Sequence, residues 1–272
     1  MTVPTISLKL PRPVTSYHQF EITSRCNLRC KYCPSSTIMD GKPGRPAMDM
    51  TMETFLRALE HVKYHVGRKE QSELNLAGIG EPTLHPNLLE FLRLARLAAP
   101  GVFLNFTTNG LLFTEELAKE MNSLNAYCFV SLHAPSNALP ELPKEKLLQL
   151  TAKDSGSTPF FEKAGRAVEI ARQYGVLLGT SQDPINASIS WAGQVEWAVT
   201  AAPGRECPWI RKGRVMVRAD GWVTKCCYDA GNSPDSIVGH VNDPVGSLVT
   251  QPYSLCKGCE QEIAVEGHQQ RT

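Results

Sequence analysis

Cys26-Asn27-Leu28-Arg29-Cys30-Lys31-Tyr32-Cys33 is a C-x3-C-x2-C run. Three thiolates at this spacing can hold three irons of a [4Fe–4S] cube and leave the fourth iron without a protein ligand. Such clusters ordinarily take four cysteines, so a three-cysteine site implies a ligand from outside the chain. The competing reading is zinc, because C-x2-C pairs are common in zinc modules. Zinc wants four ligands in a tetrahedron, and no fourth cysteine or histidine lies close by. The nearest histidine, His18, is expected just ahead of a strand, and an x3 gap is unusual for zinc. A disulfide reading is weaker. Nine cysteines is an odd count, and no secretory signal places the chain in an oxidising compartment.

Working outward, the 272 residues are enough for one substantial core, or for one domain and a small appendage. Hydrophobic residues make up 42% and charged residues 20%, ordinary values for a globular protein. The net charge of +1 gives no global reason to expect nucleic acid or a membrane surface as partner. Arg211-Lys212-Gly213-Arg214 with Arg218 is a local basic stretch, expected to be a solvated face. No apolar run reaches the length of a membrane span. Cysteine-rich composition without a signal peptide points to a reducing cytoplasm and metal ligation.

Short strand-like runs alternate with longer helix-like ones. Strands are expected at Gln19 to Thr23, Glu73 to Ile79, Val102 to Thr107, Ala126 to Leu132 and Val176 to Thr180. Helices are expected at Met52 to Val66, Pro86 to Ala98, Glu115 to Leu124 and Phe160 to Tyr174. The first should bury a stripe of Phe55, Leu56, Leu59, Val62 and Val66. Pro86 suits a first turn, Thr114 an N-cap and Gly175 a C-terminal stop. This alternation predicts parallel βαβ units, whose ligands collect at the carboxyl ends of the strands. The cysteine loop follows the first strand, which is that position. A closed eight-strand barrel takes about 250 residues, and the pattern fades near residue 200. The predicted fold is therefore α/β, a partial, open parallel β/α barrel. Residues 134 to 159 form a long Pro-, Ser- and Lys-rich connection, and 183 to 206 resist placement.

The C-x3-C-x2-C run, with an aromatic at Tyr32 before its third cysteine, resembles the radical SAM family. There the open iron is filled by the amino and carboxylate groups of S-adenosylmethionine. The resemblance implies that Cys26, Cys30 and Cys33 ligate the cluster, and it implies the same partial barrel. Weaker family marks recur at later strand ends. Gly80-Glu81-Pro82 follows the second strand, where the family has a Gly-Gly-Glu-Pro-type turn for the SAM amino group. Ile79 replaces its first glycine, and Glu81 is the expected carboxylate partner of that ammonium. Thr108-Asn109 with Gly110 matches the family's T-N-G turn. Ser131 and His133 flank the fourth strand end and are placed to reach ribose or substrate.

A second cysteine set is ordered as well. Cys207 is followed by thirteen residues, Gly221, four residues and Cys226, with Cys256 and Cys259 later as C-x2-C. Arg214 to Lys225 reads as a β-hairpin turning at Asp220-Gly221, which would bring Cys207 and Cys226 together. Four thiolates suit a complete [4Fe–4S] cluster or an all-cysteine zinc site. The pattern is similar to the SPASM auxiliary-cluster domain, in its shortened Twitch form. That resemblance implies a second [4Fe–4S] cluster on Cys207, Cys226, Cys256 and Cys259, in a small hairpin-plus-helix domain over 204–272 after a barrel over 1–203. Cys227 competes with Cys226, and Cys128, mid-strand, is expected to be a core residue.

The resemblance implies reductive cleavage of S-adenosylmethionine to a 5′-deoxyadenosyl radical, which takes a hydrogen from an unactivated C–H bond. An electron donor such as flavodoxin or ferredoxin is implied. Length and domain order look most like the 2-deoxy-scyllo-inosamine dehydrogenase group, hence net oxidation of a small-molecule amino sugar or cyclitol alcohol. The alternatives are modification of a nucleotide or DNA base, modification of a ribosomal peptide, or a non-enzymatic iron–sulfur or zinc module. No general acid or base is assignable from the sequence.

Overall fold

A computed structural model describes residues 11–28, 33, 45–131, 158–181, 208–227, 229 and 234–252. Its centre is an eight-stranded sheet. Strand β1 (Arg12–Pro13) lies outside it, paired with β10 (Val249–Thr250). The sheet is built from β2 (Ser16–Phe20), β3 (Glu73–Asn75), β4 (Phe103–Thr108), β5 (Tyr127–Ser131) and β6 (Leu177–Ser181), all parallel and in chain order. Each βα step moves one place in the same direction, as in a barrel wall, with no reversal of order between β2 and β6.

Among the described residues the helices are α1 (Met52–Gly67), α2 (Leu88–Ala98), α3 (Glu115–Ser123), α4 (Thr158–Gln173) and the short α5 (Pro208–Arg211). Helix α1 starts at Thr51, whose hydroxyl accepts from the Thr54 N–H. Thr114 caps α3 as expected, accepting from the Leu117 N–H at 3.1 Å. Gly175 sits at φ +68 and stops α4. Helix α2 begins two residues after Pro86, with Asn87 at its N-cap, so Pro86 belongs to the approach rather than the first turn.

The helices cover one face of the sheet, and the core lies between. Tyr17 and Phe20 of β2 face α1: the Tyr17 hydroxyl meets His61 Nδ1 at 2.8 Å, and Phe20 packs edge-on against Phe55. The buried stripe of α1 is Phe55, Ala58, Leu59, His61, Val62 and His65. Leu56, expected in that stripe, is exposed at 44%. One residue along a helix is a turn of about 100°, which carries Leu56 off the face that Phe55 buries. Cys128 is fully buried in β5, and burial pushes its thiol up to about 12, so it is a core residue as expected.

The first strand begins three residues earlier than expected and contains His18 rather than following it. A bulge between Tyr17 and Gln19 disturbs its alternation, which obscures the strand signal. The hairpin is β7 (Arg214–Val217) and β8 (Trp222–Thr224), extended by β9 (Ile237–His240). Its loop is three residues, Ala219-Asp220-Gly221. The Arg218 carbonyl accepts from the Gly221 N–H, and Gly221 holds φ +85. Strand β7 pairs parallel with β2, so the hairpin extends the same sheet beyond the first strand. The boundary expected at 203/204 falls outside the described residues. No helix among the described residues is long and apolar enough to cross a membrane.

Candidate active site

The loop that begins at the carboxyl end of β2 carries the first cysteine set, and five contacts hold its two ends. Glu21, fully buried, receives the Arg45 guanidinium in a two-pronged ion pair. Thr23 Oγ1 donates to Asp49 Oδ1 at 2.7 Å. The Ser24 N–H donates to the Met48 carbonyl at 2.9 Å. Arg25 pairs with Asp49 at 2.5 Å. Arg25 also accepts, through its carbonyl, the Glu81 N–H at 2.8 Å. Within the loop the Leu28 N–H points at Cys26 Sγ, 3.4 Å away. Backbone amides aimed at sulfur are what an iron-bound thiolate takes. Cys26 and Cys33 are half-buried, and Cys30 and Tyr32 lie outside the described residues.

Gly80-Glu81-Pro82 packs directly on this loop. A Cβ at Gly80 would stand 2.2 Å from the Thr23 carbonyl oxygen, so only glycine permits the approach. Pro82 opens a 3-10 turn, Pro82–Leu84. Glu81 is buried, and its carboxylate already has four donors. Oε1 accepts from the Thr83 N–H, the Thr83 hydroxyl and the Thr108 hydroxyl, and Oε2 from the Asn109 N–H. A carboxylate offers about four lone-pair sites, two on each oxygen, so Oε1 is crowded by three donors and Oε2, with one, keeps an acceptor position. Glu81 thus joins the second and third strand ends as a brace. Burial raises its pKa, while the donors from Asn109, Thr108 and Thr83 pull the other way.

Thr108 and Asn109 lie where β4 ends. Asn109 Nδ2 donates to Asn27 Oδ1 at 2.7 Å, a second tie to the cysteine loop, and Gly110 turns the chain at φ +78. Ser131 ends β5 on the face shared with Tyr127 and Phe129. The structure thus gathers Cys26, Gly80, Glu81, Pro82, Thr108 and Asn109 at one end of the sheet. His133 lies outside the described residues, as do Cys207, Cys256 and Cys259. Cys226 and Cys227 follow β8 and are both half-buried. Because β8 runs antiparallel to β7, Cys226 lies toward the sheet end opposite Cys26.

Three features went unread in the sequence. The Glu21–Arg45 pair is one, and hairpin residues adjoin it: the Ala219 N–H lies 3.5 Å from Glu21 Oε1. Arg218 is another. It is buried and paired with Asp220, not part of a solvated basic face. Burial, and then the nearby Arg45 charge, lower its pKa. The third is a ladder of polar side chains on the sheet face turned away from the helices: His18 Nε2 lies 3.7 Å from Glu73 Oε2, Asn105 Nδ2 donates to Glu73 Oε1 at 3.1 Å, and Asn75 Nδ2 donates to Asn105 Oδ1 at 2.7 Å. Carboxylates and arginines carry no periodic signal that would mark them as buried.

The Radical SAM superfamily model matches residues 20–181, more than half the chain. The chain belongs to the radical SAM superfamily. The family implies a [4Fe–4S] cluster and S-adenosylmethionine, and the residues gathered at the sheet end fit both. Among curated proteins the chain is similar to the tungsten-containing aldehyde ferredoxin oxidoreductase cofactor-modifying protein of Pyrococcus furiosus. The two are 36% identical over 108 residues, 40% of this chain and 28% of that protein. It is also similar to the GTP 3′,8-cyclase of Chlorobaculum tepidum, 29% identical over 154 residues, 56% of this chain and 40% of that protein. The chain therefore spans less than half the length of these relatives. Among solved structures, BtrN in complex with AdoMet and 2-DOIA aligns with TM-score 0.57 at 17% identity. The alignment covers 97% of this chain and 92% of that one. Native anSMEcpe with bound AdoMet aligns with TM-score 0.56 at 15% identity, over 85% and 79%. At these identities the likeness is one of fold.

Proposed function

We propose that this radical SAM enzyme oxidises a small polar substrate, an amino sugar or cyclitol alcohol. It would remove the hydrogen of the carbinol C–H bond, pass the remaining electron to an auxiliary [4Fe–4S] cluster and release the hydroxyl proton to water, leaving a carbonyl. Cys26, Cys30 and Cys33 would hold the first cluster. Gly80, Pro82, Thr108, Asn109, Ser131, Tyr32 and His133 would line the S-adenosylmethionine pocket, with Glu81 bracing it. Cys207, Cys226, Cys256 and Cys259 would hold the second cluster, in a Twitch unit that begins near residue 204. The cluster and S-adenosylmethionine, when bound there, would supply one-electron reductive cleavage of the sulfonium, with methionine as the leaving group. The chain's own residues bind, orient and exclude water, because misplacement by about an ångström can cost roughly 100-fold. Flavodoxin or ferredoxin would donate the electron.

The observation that carries this reading is the parallel pairing of β7 with β2. It builds the hairpin leading to Cys226 into the same sheet as the cysteine loop, with the concave face between them. The fold shared with BtrN over nearly the whole chain agrees, and the BtrN structure holds 2-DOIA. A second reading, radical chemistry on a nucleotide, is favoured by the similarity to GTP 3′,8-cyclase.

The test is anaerobic 5′-deoxyadenosine formation by the reconstituted, dithionite-reduced protein, without substrate and with amino sugars and cyclitols, nucleotides, or peptides. Stimulation by the first pool supports the proposal, and stimulation by nucleotides alone favours the second reading. Cys256→Ala is expected to spare uncoupled cleavage and abolish product. Normal turnover by that variant would refute the auxiliary-cluster role.

A further inference from the structure

The root of the cysteine loop holds more buried charge than a clasp needs. Behind the two-pronged Glu21–Arg45 pair stands the hairpin. The Glu21 N–H donates to the Val217 carbonyl at 2.8 Å, and the Ala219 N–H approaches Glu21 Oε1 at 3.5 Å. From the other side the Ile79 N–H approaches Oε2 at 3.5 Å. A Cβ at Gly78 would lie 2.5 Å from Glu21 Cγ. Glu21 is thus wedged between the turn after β3 and the hairpin, just upstream of Cys26.

Two hairpin side chains extend the pair. Arg218, 5% exposed at its side chain, donates from Nη2 to Asp220 Oδ2 at 2.5 Å. Asp220 is held in turn. Its Oδ1 accepts the Trp222 N–H at 3.3 Å, and its carbonyl meets His240 Nε2 at 3.2 Å. The four groups act on one another across the two elements. Burial opposes the charge on Arg45, but Glu21 beside it, and Asp220 beyond, hold its pKa above the ordinary value. Arg218 is lowered, first by burial and then by Arg45, with Asp220 and Glu21 pulling back.

A second guanidinium near Arg45 adds a like charge, not a further tie to the loop. Glu21 already takes both prongs of Arg45, and a buried ion pair is in itself weak evidence for stability. Arg218 Nε is buried without a hydrogen-bond partner. Such a group destabilises the fold, and native proteins keep few of them without a use. What the two guanidiniums do supply is fixed charge at the root of the loop that carries Cys26. An iron–sulfur cluster gains one negative charge on reduction, and its potential follows the net charge around it. Away from water a fixed charge acts more strongly than in it.

We infer that Arg218 is a positioning residue of the first cluster: acting with Arg45 and Glu21, and held by Asp220, it fixes the charge at the root of the cysteine loop and so sets the cluster's reduction potential. The family model ends at residue 181, so this part of the cluster's surroundings comes from the hairpin beyond it. The inference rests on Cys26, Cys30 and Cys33 as the ligands and on no choice of substrate.

The reconstituted holoenzyme is titrated electrochemically and followed by electron paramagnetic resonance. The first cluster's signal is the one that changes when S-adenosylmethionine is added and that Cys30→Ala removes. Arg218→Gln deletes a positive charge and is expected to lower the midpoint potential. Asp220→Asn deletes a negative charge and is expected to raise it. Each shift should be at least about threefold in the equilibrium constant for reduction, about 30 mV at roughly 59 mV per decade. Arg218→Lys keeps the charge and should restore most of the wild-type potential. Arg93→Gln removes an exposed charge that pairs with Glu120 on the helix layer, and should leave the potential where it was. Iron load and far-UV circular dichroism report the folding of each variant. A purely structural role would lower iron load in both hairpin variants without moving the potential in opposite directions. Shifts of one sign, an equal shift in Arg93→Gln, or unmoved potentials at full iron load would overturn the inference. Where Arg218→Gln fails to load iron, Asp220→Asn decides, and a potential unmoved or lowered in that variant is equally fatal. A signal that survives Cys30→Ala would overturn the ligand assignment and the inference with it. Loss of that signal with unshifted potentials would overturn the inference alone.

Discussion

At the scale of single residues, the site depends on two positions whose tolerance to change differs in kind. Gly80 is fixed by backbone geometry, because its missing Cβ lets the turn touch the Thr23 and Arg25 carbonyls. Gly80→Ala is expected to cost at least about 2 kcal/mol, since backbone on both sides must move. It should also lower the reconstituted iron load, read by denaturant melts and iron assay. Glu81 is fixed by hydrogen bonding. In Glu81→Gln one acceptor oxygen becomes an NH2 that faces donors. The hydroxyls of Thr83 and Thr108 can rotate, but the Asn109 N–H cannot. We expect a cost of about 1–3 kcal/mol and weaker S-adenosylmethionine binding by equilibrium dialysis. A wild-type melt and wild-type Kd for that variant would contradict the brace.

At the scale of elements, the base of the cysteine loop is a clasp between the end of β2 and the segment before α1. Its two ion pairs should behave differently. Arg45 and Glu21 are 3% and 0% exposed at their side chains, and Arg25 and Asp49 are 44% and 28% exposed. Arg45→Met leaves a buried carboxylate without its partner and is expected to cost about 3–5 kcal/mol. The Glu21→Met, Arg45→Met double variant should cost less than either single one, because desolvated charge is removed with its partner. Arg25→Ala should cost about 1 kcal/mol or less. A double variant as unstable as the sum of the singles would show that the pair is not coupled. Helix α4 supplies the contrast. Gly165 is mid-helix, with nothing within 4 Å of an added Cβ. Gly165→Ala should therefore stabilise by about 0.5–1 kcal/mol, read as a raised Tm.

At the scale of the molecule, stability should depend on pH through buried neutral histidines. Burial lowers the pKa of His18, His61 and His85, for His18 to about 4. The two others donate ring N–H groups to carbonyls, His61 Nε2 to Val241 and His85 Nε2 to Met50. Unfolded histidine titrates near 6.5, so between about 4 and 6.5 the unfolded chain binds more protons than the folded one. Stability therefore rises with pH through that window and is lost as pH falls through it. His18 alone contributes roughly 3 kcal/mol over the whole window. Tm should climb from pH 4.5 to 6.5 and level off above 7, and His18→Gln should flatten the climb. A Tm that falls over that interval would refute the assignment of neutral histidines.

Sequence alone determined what local chemistry and short periods encode. The C-x3-C-x2-C spacing marked the cluster loop, alternating strand and helix patterns marked the parallel barrel wall, and Thr114 and Gly175 marked helix ends. Each signal spans a few residues and survives without knowledge of neighbours. Tertiary structure decided the rest, because it depends on which strand lies beside which. The approach of Ala219 to Glu21 joins residues 198 apart. The ladder of His18, Glu73, Asn105 and Asn75 exists only through the order β2-β3-β4. Glu81 became a brace because β4 ends beside it, and Arg218 became buried because β7 lies beside β2. A charged residue at a strand end reads the same in sequence whether it faces water, a cofactor or another strand.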